Sequence, residues 1–206
     1  MNNPAISAKL YAVLKHLMQD PVIDSFYLVG GTALALHLEH RDSVDIDLFT
    51  NSDFDSSALV SHFEKEYAAE QIAWEANTFR AHIQGIKIEL LTHQYPLLDE
   101  IKVIDDVRVV SLKDLAAFKL NAISGRGSKK DFWDLDALLA HFFLIEMIDF
   151  FKAKYAANGI WHLIRSLSYY DDAETELTEI IDYQGKDWSA VKENIMKALQ
   201  DSGIQT

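Results

Sequence analysis

The sequence predicts an α+β fold in which a mixed β-sheet is flanked by helices and followed by a C-terminal helical region. Up to residue 110, short runs of apolar and β-branched residues alternate with polar or glycine-containing breaks, which is typical of strands. From residue 111 onward, apolar residues recur three and four positions apart, which is typical of helices. We therefore divide the chain into a sheet-containing core, residues 1–110, and a helical region, residues 111–206, that packs on the core and completes a cleft.

The core region is predicted to open with an amphipathic helix that ends near Asp20 and Pro21. Gln84 and Gly85 separate two extended runs, which predicts a β-hairpin. Strands are predicted at 26–29, 44–49, 71–74, 79–83, 86–92 and 107–110, and helices at 33–38 and 59–67.

The helical region is predicted to begin at Ser111, because Asp114 follows three residues later as in a capping box. Apolar side chains then share one face in each of three further segments, at 132–142, 145–155 and 188–199. We interpret the aromatic residues on these faces as core between packed helices.

The composition excludes several classes of protein. With 49% hydrophobic residues among 206, the chain can fold and bury a sizeable core. Without cysteine it has neither disulfides nor thiolate metal sites. Its polar start is no signal peptide, and no run approaches the ~20 apolar residues that span a bilayer. We predict a cytoplasmic protein with no membrane partner.

A glycine pair after the first predicted strand indicates a phosphate site. The apolar run at 26–29 stops at Gly30 and Gly31, and Thr32 begins a segment that favours helix. Glycine lets backbone approach phosphate oxygens closely, and the free N–H groups that open a helix attract an anion. The hydroxyl of Thr32 lies at the same place.

Two aspartates follow in a pattern that indicates a metal site. The residues from Ser43 to Leu48 alternate strictly between polar and apolar, so Asp45 and Asp47 project from one face of a strand. Such residues are about 6.5 to 7 Å apart at Cα, close enough for their oxygens to converge on hard divalent ions. Mg²⁺ or Mn²⁺ is therefore the predicted cofactor. Glu89, flanked by apolar residues on a later strand, is the candidate third ligand. Together with the glycine pair, these acids predict binding of a nucleoside triphosphate.

At these residues the sequence resembles the nucleotidyltransferase superfamily, and more closely the AbiEii/AbiGii-type toxin nucleotidyltransferases. One matching stretch runs through 29–38 and 41–49, and a second through 114–119, Arg126 and 130–135. The likeness covers about residues 26 to 139, with Thr32 where many of these enzymes carry serine. It implies the nucleotidyltransferase fold, with residues 1–110 as the catalytic core. It also implies transfer of a nucleoside monophosphate from an NTP to a hydroxyl of tRNA or another macromolecule. The chain would then be a toxin with a cognate antitoxin as partner protein.

The residues and the resemblance together predict a set of site residues. The predicted catalytic residues are Asp45, Asp47, Glu89, Lys119 and Asp131, the first three being the metal ligands. The predicted nucleotide-binding residues are Gly30, Gly31, Thr32, Arg41, Ser43, Arg126 and Lys130.

Several of these predictions stay open at the sequence level. Arg41 either supports the aspartate motif or contacts the nucleotide, or it forms an ion pair with Asp42 or Asp45. Asp131 either orients Lys119 or Arg126 or caps its helix. Asp134 is interpreted as structural.

The distribution of charge is uneven. The net charge of −13 disfavours broad attraction to nucleic acid, yet the stretch from Lys119 to Lys130 holds four bases and no acid. We interpret that stretch as a phosphate contact rather than a solvated loop. The stretch from Asp171 to Asp182 holds six acids and no base, and we interpret it as a solvated helix face rather than as a docking site for a basic partner such as an antitoxin.

Two alternatives to the transfer enzyme are open. One is a catalytically silent module of the same fold that binds a nucleotide or a protein. The other is a small-molecule adenylyltransferase of the aminoglycoside-modifying type, which shares the glycine and acid motifs. Serine hydrolases and Walker-type nucleoside triphosphatases are disfavoured, because their glycine-containing motifs are missing from the sequence.

Overall fold

The computed structural model describes residues 3–204, so the predicted ends of the two regions, at 1 and 206, lie outside the described residues. The strands are β1 (Tyr27–Val29), β2 (Ile46–Thr50), β3 (Glu70–Glu75), β4 (Thr78–Ile83), β5 (Ile86–Thr92), β6 (Lys102–Ile104) and β7 (Val107–Val109). The helices are α1 (Ala8–Met18), α2 (Gly30–Leu38), α3 (Ser56–Tyr67), α4 (Leu112–Gly125), α5 (Lys129–Leu138), α6 (Leu144–Tyr155), α7 (Trp161–Leu167), α8 (Asp171–Thr175) and α9 (Trp188–Asp201). A 3₁₀ turn at Pro21–Ile23 joins α1 to β1.

The strands form one mixed sheet in the order β3-β4-β5-β2-β1-β7-β6. Strand β2 lies at the centre, antiparallel to β1 and parallel to β5. Along β2, Ile46 and Leu48 are fully buried on one face, while Asp47 and Phe49 are partly buried on the other. The predicted α+β fold with a mixed sheet is confirmed.

Helices cover both faces of the sheet. Phe63 of α3 packs on Phe79 of β4, with ring centroids 4.6 Å apart. On the opposite face, Phe49 meets the edge of Phe118 of α4, at 5.5 Å between centroids. The buried residues of the two predicted regions join in one hydrophobic cluster. No helix among the described residues is long and apolar enough to cross a membrane.

Most predicted elements are present, but α5 ends at Leu138, short of the predicted 142, and α7 and α8 were not predicted. The predicted hairpin is confirmed, because Gln84 and Gly85 both have positive φ, as a two-residue turn requires. Strand β6 was not predicted. It pairs with β7 across Asp105 and Asp106, which adopt the same conformation without a glycine to mark the turn.

A late segment of the chain returns to the residues before the aspartate motif. Arg41 and Asp182 form an antiparallel bridge. The Asp42 N–H donates to the Ile181 carbonyl at 3.0 Å, and the Tyr183 N–H donates to the His40 carbonyl at 2.9 Å. Part of the acidic stretch is thus backbone-paired to the core.

A buried ion pair joins α4 to α6. The Lys154 ammonium donates to Asp114 at 2.7 Å and to the Pro96 carbonyl at 2.8 Å, and both charged side chains are fully buried. Asp114 also accepts from the Ser111 hydroxyl and the Leu98 N–H. The predicted start of α4 is confirmed, since Ser111 is its N-cap.

We predict that Asp114→Ala lowers the free energy of unfolding by about 3–5 kcal/mol, because it leaves the Lys154 ammonium buried without a counter-charge. Urea denaturation would measure the change. Asp149→Ala is the matched control: its carboxylate lies 3.6 Å from Lys152 and is largely exposed, so its loss should change the free energy of unfolding by less than ~0.5 kcal/mol. Equal effects of the two substitutions would contradict the prediction.

Candidate active site

The glycine pair lies at the junction of β1 and α2, against the acids of β2. Gly30 has φ +71°, and a Cβ there would lie 2.4 Å from Oδ2 of Asp47. A Cβ at Gly31 would lie 2.7 Å from Nη2 of Arg41. Glycine at both positions thus makes room for functional side chains. No side chain caps the N-terminus of α2, so its first backbone N–H groups remain available to an anion.

Asp47 and Glu89 are direct neighbours across the parallel pair of β2 and β5. Because register partners on adjacent strands project from the same face, both carboxylates lie on the face that α4 covers. Asp45 precedes β2 and lies two residues before Asp47 in the chain. The structure therefore places Asp47 and Glu89 on one side of the sheet, with Asp45 just before the strand.

The electrostatics of Asp47 reflect this crowding. Burial raises the pKa of its carboxyl to about 6; Lys119 opposes the shift, and Glu89 and Asp45 add to it. A carboxyl whose ionisation is disfavoured by burial and by like charges is a suitable ligand for a cation.

The third acid is engaged by basic neighbours. Arg80 Nε donates to Oε1 of Glu89 at 2.7 Å, and Lys87 Nζ lies 3.6 Å from Oε2. Within residues 3–204, no three acidic or histidine side chains are arranged to hold a metal ion as they stand. The donor set is nevertheless all oxygen, which suits Mg²⁺ or Mn²⁺, and the raised pKa of Asp47 fits a cation beside it.

Lys119 belongs to α4, the helix that covers this face, and two aspartates of α5 contact its ammonium group. Its ammonium donates to Asp131 at 3.0 Å and contacts Asp134 at 2.6 Å. Asp131 also accepts from Ser128 at 2.7 Å and from Arg126 at 3.2 Å. Asp131 thus contacts both bases that the sequence offered as its partners, and its catalytic role stays a prediction.

The carboxylate of Asp134 contacts the buried basic side chains of the site. Arg41 donates to it through Nε at 2.7 Å and through Nη2 at 2.8 Å, and His40 Nε2 lies 2.7 Å from the same carboxylate. Although Asp134 is fully buried, Arg41 and Lys119 hold the pKa of its carboxyl well below the ordinary range. The ion pair proposed for Arg41 with Asp42 or Asp45 is therefore wrong: the carboxylate that Arg41 contacts is that of Asp134, and its contact with Asp42 is a hydrogen bond to the backbone carbonyl.

The two hydroxyls near the glycine pair bind protein groups. Thr32 is buried, and its Oγ1 donates to the Asp45 carbonyl and lies 2.8 Å from the Ser43 hydroxyl. These contacts tie the start of α2 to the residue that begins the aspartate motif. Lys130 is partly buried on the first turn of α5. The nucleotide contacts of Thr32, Ser43 and Lys130 stay predictions.

Sequence reasoning did not predict the contacts of two residues at this site. Asp134 was interpreted as structural, and it is a buried counter-charge of Arg41 and Lys119. Arg80 was not singled out, although a two-residue turn at 84–85 fixes it opposite Glu89.

Comparisons with known proteins agree with this geometry. The chain matches the family described as "Nucleotidyl transferase AbiEii toxin, Type IV TA system" over residues 12–206. It belongs to the AbiEii nucleotidyltransferase toxin family, whose members are NTP-dependent nucleotidyltransferases. It is also similar to "Uncharacterized protein aq_aa25" of Aquifex aeolicus (strain VF5), with 32% identity over 186 residues that cover 87% of this chain and 89% of that protein.

Two solved structures share the fold at low sequence identity. One is JHP933 from Helicobacter pylori, with a TM-score of 0.57 and 18% identity, covering 95% of this chain and 92% of that one. The other is MenT4, a nucleotidyltransferase toxin from Mycobacterium tuberculosis H37Rv, with a TM-score of 0.55 and 14% identity, covering 92% and 82%. The predicted nucleotidyltransferase fold is confirmed.

We predict that Gly30→Ala displaces the Asp47 side chain and lowers the rate of nucleotide transfer at least about 10-fold. Gly185→Ala is the matched control, since Gly185 has a similar φ of +74° but no atom within 4 Å of an added Cβ. Both variants should lose about 1–2 kcal/mol of stability through the left-handed backbone, and Gly30→Ala should lose more. Urea denaturation and a transfer assay would separate the two effects. Comparable loss of transfer in both variants would count against the close approach of Gly30 and Asp47.

We also predict that, without divalent ions, the free energy of unfolding decreases as the pH rises, because of the raised pKa of Asp47. Its pKa is 3.8 ordinarily and about 6 when folded, so between these values the folded state keeps a proton that the unfolded state loses. The folded state therefore weakens from about pH 4 to pH 6, and Asp47→Asn removes the effect. The variant should exceed the wild type by about 1–3 kcal/mol at pH 8 and by little near pH 4.

Urea denaturation in EDTA at both pH values would measure the difference between variant and wild type. The exposed Asp201→Asn is the control, and it should follow the wild type at each pH. A difference between Asp47→Asn and wild type that is the same at pH 4 and pH 8 would show that the substitution acts through packing rather than through charge.

Proposed function

We propose that this chain transfers a nucleoside monophosphate from an NTP to an acceptor hydroxyl of tRNA or another macromolecule, with Mg²⁺ or Mn²⁺ as cofactor. The observation that carries the proposal is the register pairing of Asp47 with Glu89 beside Gly30, which puts an uncapped helix N-terminus next to two carboxylates. That arrangement joins an anion site to a cation site, which is what a metal-bound polyphosphate requires.

The triphosphate is assigned to the side of the acids that faces α2. There the backbone N–H groups after Gly30 and Gly31 would bind terminal phosphate oxygens. Lys119 has two N–H donors engaged by Asp131 and Asp134, and its positive charge already acts on Asp47. The Arg126 side chain is 73% exposed while Asp131 holds its Nε, which leaves the rest of the guanidinium free to reach a phosphate. These bases would offset charge on the leaving pyrophosphate.

In the reaction, the acceptor oxygen attacks the α-phosphorus and the bond from that phosphorus to the bridging oxygen of the β-phosphate breaks. Pyrophosphate leaves with the electrons of that bond. Glu89, at the side of Asp47 away from β1, is assigned to take the proton of the acceptor hydroxyl.

Asp45, Asp47 and Glu89 would hold the divalent ions. When bound, the ions neutralise phosphate charge and lower the pKa of the attacking hydroxyl. The chain itself contributes the position of Asp47 and Glu89, fixed by the β2–β5 register, and a partly buried environment for both carboxylates.

We assign tRNA or another macromolecule as acceptor because the family is one of toxins, and a cognate antitoxin as partner because the family description names a toxin–antitoxin system. The chain would act in the cytoplasm, where NTPs and tRNA are present. The net charge of −13 implies that an RNA acceptor is held by local bases such as those between Lys119 and Lys130 rather than by the whole surface.

The first alternative, a silent module, is not favoured, because the sequence has all three acids, and Asp47 and Glu89 are register neighbours with the charge of Lys119 acting on Asp47. The second alternative, a small-molecule adenylyltransferase, differs in acceptor rather than in chemistry. An assay that compares tRNA with aminoglycosides as acceptors therefore distinguishes it from the proposed function.

We predict that wild-type protein with Mg²⁺ adds a nucleotide to tRNA, detected as a mass increase by mass spectrometry after incubation with each NTP in turn. Asp47→Asn and Glu89→Gln should each lower the rate by at least about 100-fold, since each removes a charge that the reaction depends on. Asp201→Asn, on an exposed helix end, should keep the wild-type rate. A parallel incubation with aminoglycosides would identify a small-molecule acceptor, and no transfer to either acceptor would favour the silent module.

A further inference from the structure

Arg80 occupies the position next to Glu89 on the side away from the glycine pair. Val29, Asp47, Glu89 and Arg80 are successive register partners across β1, β2, β5 and β4, and they form one row across the sheet. The row thus runs from the proposed triphosphate side, through two acids, to a cation.

The contacts of Arg80 are directed at Glu89. Its Nε donates to Oε1 of Glu89 at 2.7 Å, and its Nη1 lies 3.3 Å from Glu75. The Glu89 side chain is 22% exposed, whereas that of Arg80 is 43% exposed. Of the two side chains, Arg80 is therefore the more accessible to solvent.

The same contacts engage both carboxylate oxygens of Glu89. Within residues 3–204, no three acidic or histidine side chains converge as they stand, although Asp47 and Glu89 share one face. One oxygen of Glu89 accepts from Arg80, and the other lies 3.6 Å from Lys87. A divalent ion that needs Glu89 must therefore displace a hydrogen-bonded cation.

We propose that Arg80 is a positioning residue that holds Glu89 in a resting arrangement and competes with the divalent ion for it. The inference rests on the proposed function, in which Glu89 is a metal ligand. Binding of the ion and pairing of Arg80 with Glu89 exclude one another, so Arg80 sets the metal concentration at which the site is complete.

The test is Mn²⁺ affinity, measured by titration calorimetry on the full-length protein without nucleotide. Arg80→Gln should bind Mn²⁺ about fivefold more tightly than wild type, the size expected for loss of one partly exposed ion pair. Arg80→Lys, which keeps the charge but lacks the Nε–H donor, should give about a twofold gain. Circular dichroism would check that each variant is folded.

Two further variants separate competition from a general loss of positive charge. Lys87→Gln removes an equal charge that makes no hydrogen bond to Glu89, and its gain should not exceed about twofold. In a Glu89→Gln background, Arg80→Gln should no longer tighten Mn²⁺ binding. A gain that persists there, or unchanged or weaker binding by Arg80→Gln alone, would overturn the proposal.

The metal site itself is tested by Asp47→Asn. If wild type and Asp47→Asn bind Mn²⁺ alike, the assignment of the acids as ligands fails, and the role of Arg80 fails with it. If Asp47→Asn loses Mn²⁺ binding but Arg80→Gln shows no gain, only the role of Arg80 is overturned.

Discussion

The arrangement of the site depends on one buried carboxylate. Asp134 of α5 binds Arg41, from the loop between α2 and β2, and Lys119 of α4, and it is fully buried with them. A charge in that position is tolerated only when its partners are in place. The packing of α4 and α5 on the sheet is therefore tied to the position of the loop that leads into the aspartate motif. The link joins the two regions of the chain through charge as well as through the apolar core.

The acids of the cleft fall into two groups with opposite electrostatics. Asp131 and Asp134 have pKa values lowered by the bases that surround them, so they stay ionised and serve as fixed counter-charges. Asp47 has a raised pKa, because burial and its acidic neighbours outweigh Lys119. Its negative charge is therefore not fully compensated by the protein. The protein thus supplies permanent partners for Asp131 and Asp134 and leaves the charge of Asp47 without a full counter-charge.

The sequence predicted the fold well because its signals were local. Alternation of polar and apolar residues identified β2, and the Gln84–Gly85 turn identified the β4–β5 hairpin. The same signals put Asp45, Asp47 and Glu89 forward, but the parallel register that makes Asp47 and Glu89 neighbours involves residues 42 positions apart and has no local signature. The division at residue 110 and the roles of the predicted site residues stay predictions.

The ionic contacts could not be predicted with the same success, because the partner of a charged side chain is set by distances in the folded structure and not by distance along the chain. Arg41 has two acids close by in sequence and pairs with neither, since Asp134 approaches it from 93 positions away. Strand β6 was missed for a different reason: its turn at Asp105 and Asp106 adopts positive φ without the glycine that usually marks it. Residues with acidic side chains can take that conformation, so composition alone is a weak guide there.

The pairing of residues 181–183 with residues 40–42 has a consequence for how the toxin is made on the ribosome. Translation produces the glycine pair and both aspartates of the motif first and Glu89 later. Asp134 and the segment 181–183 follow in the last part of the chain. An unfinished chain that ends before α5 would lack the counter-charge for Arg41 and Lys119. The contacts that hold the loop before the aspartate motif can therefore form only once most of the chain has been synthesised.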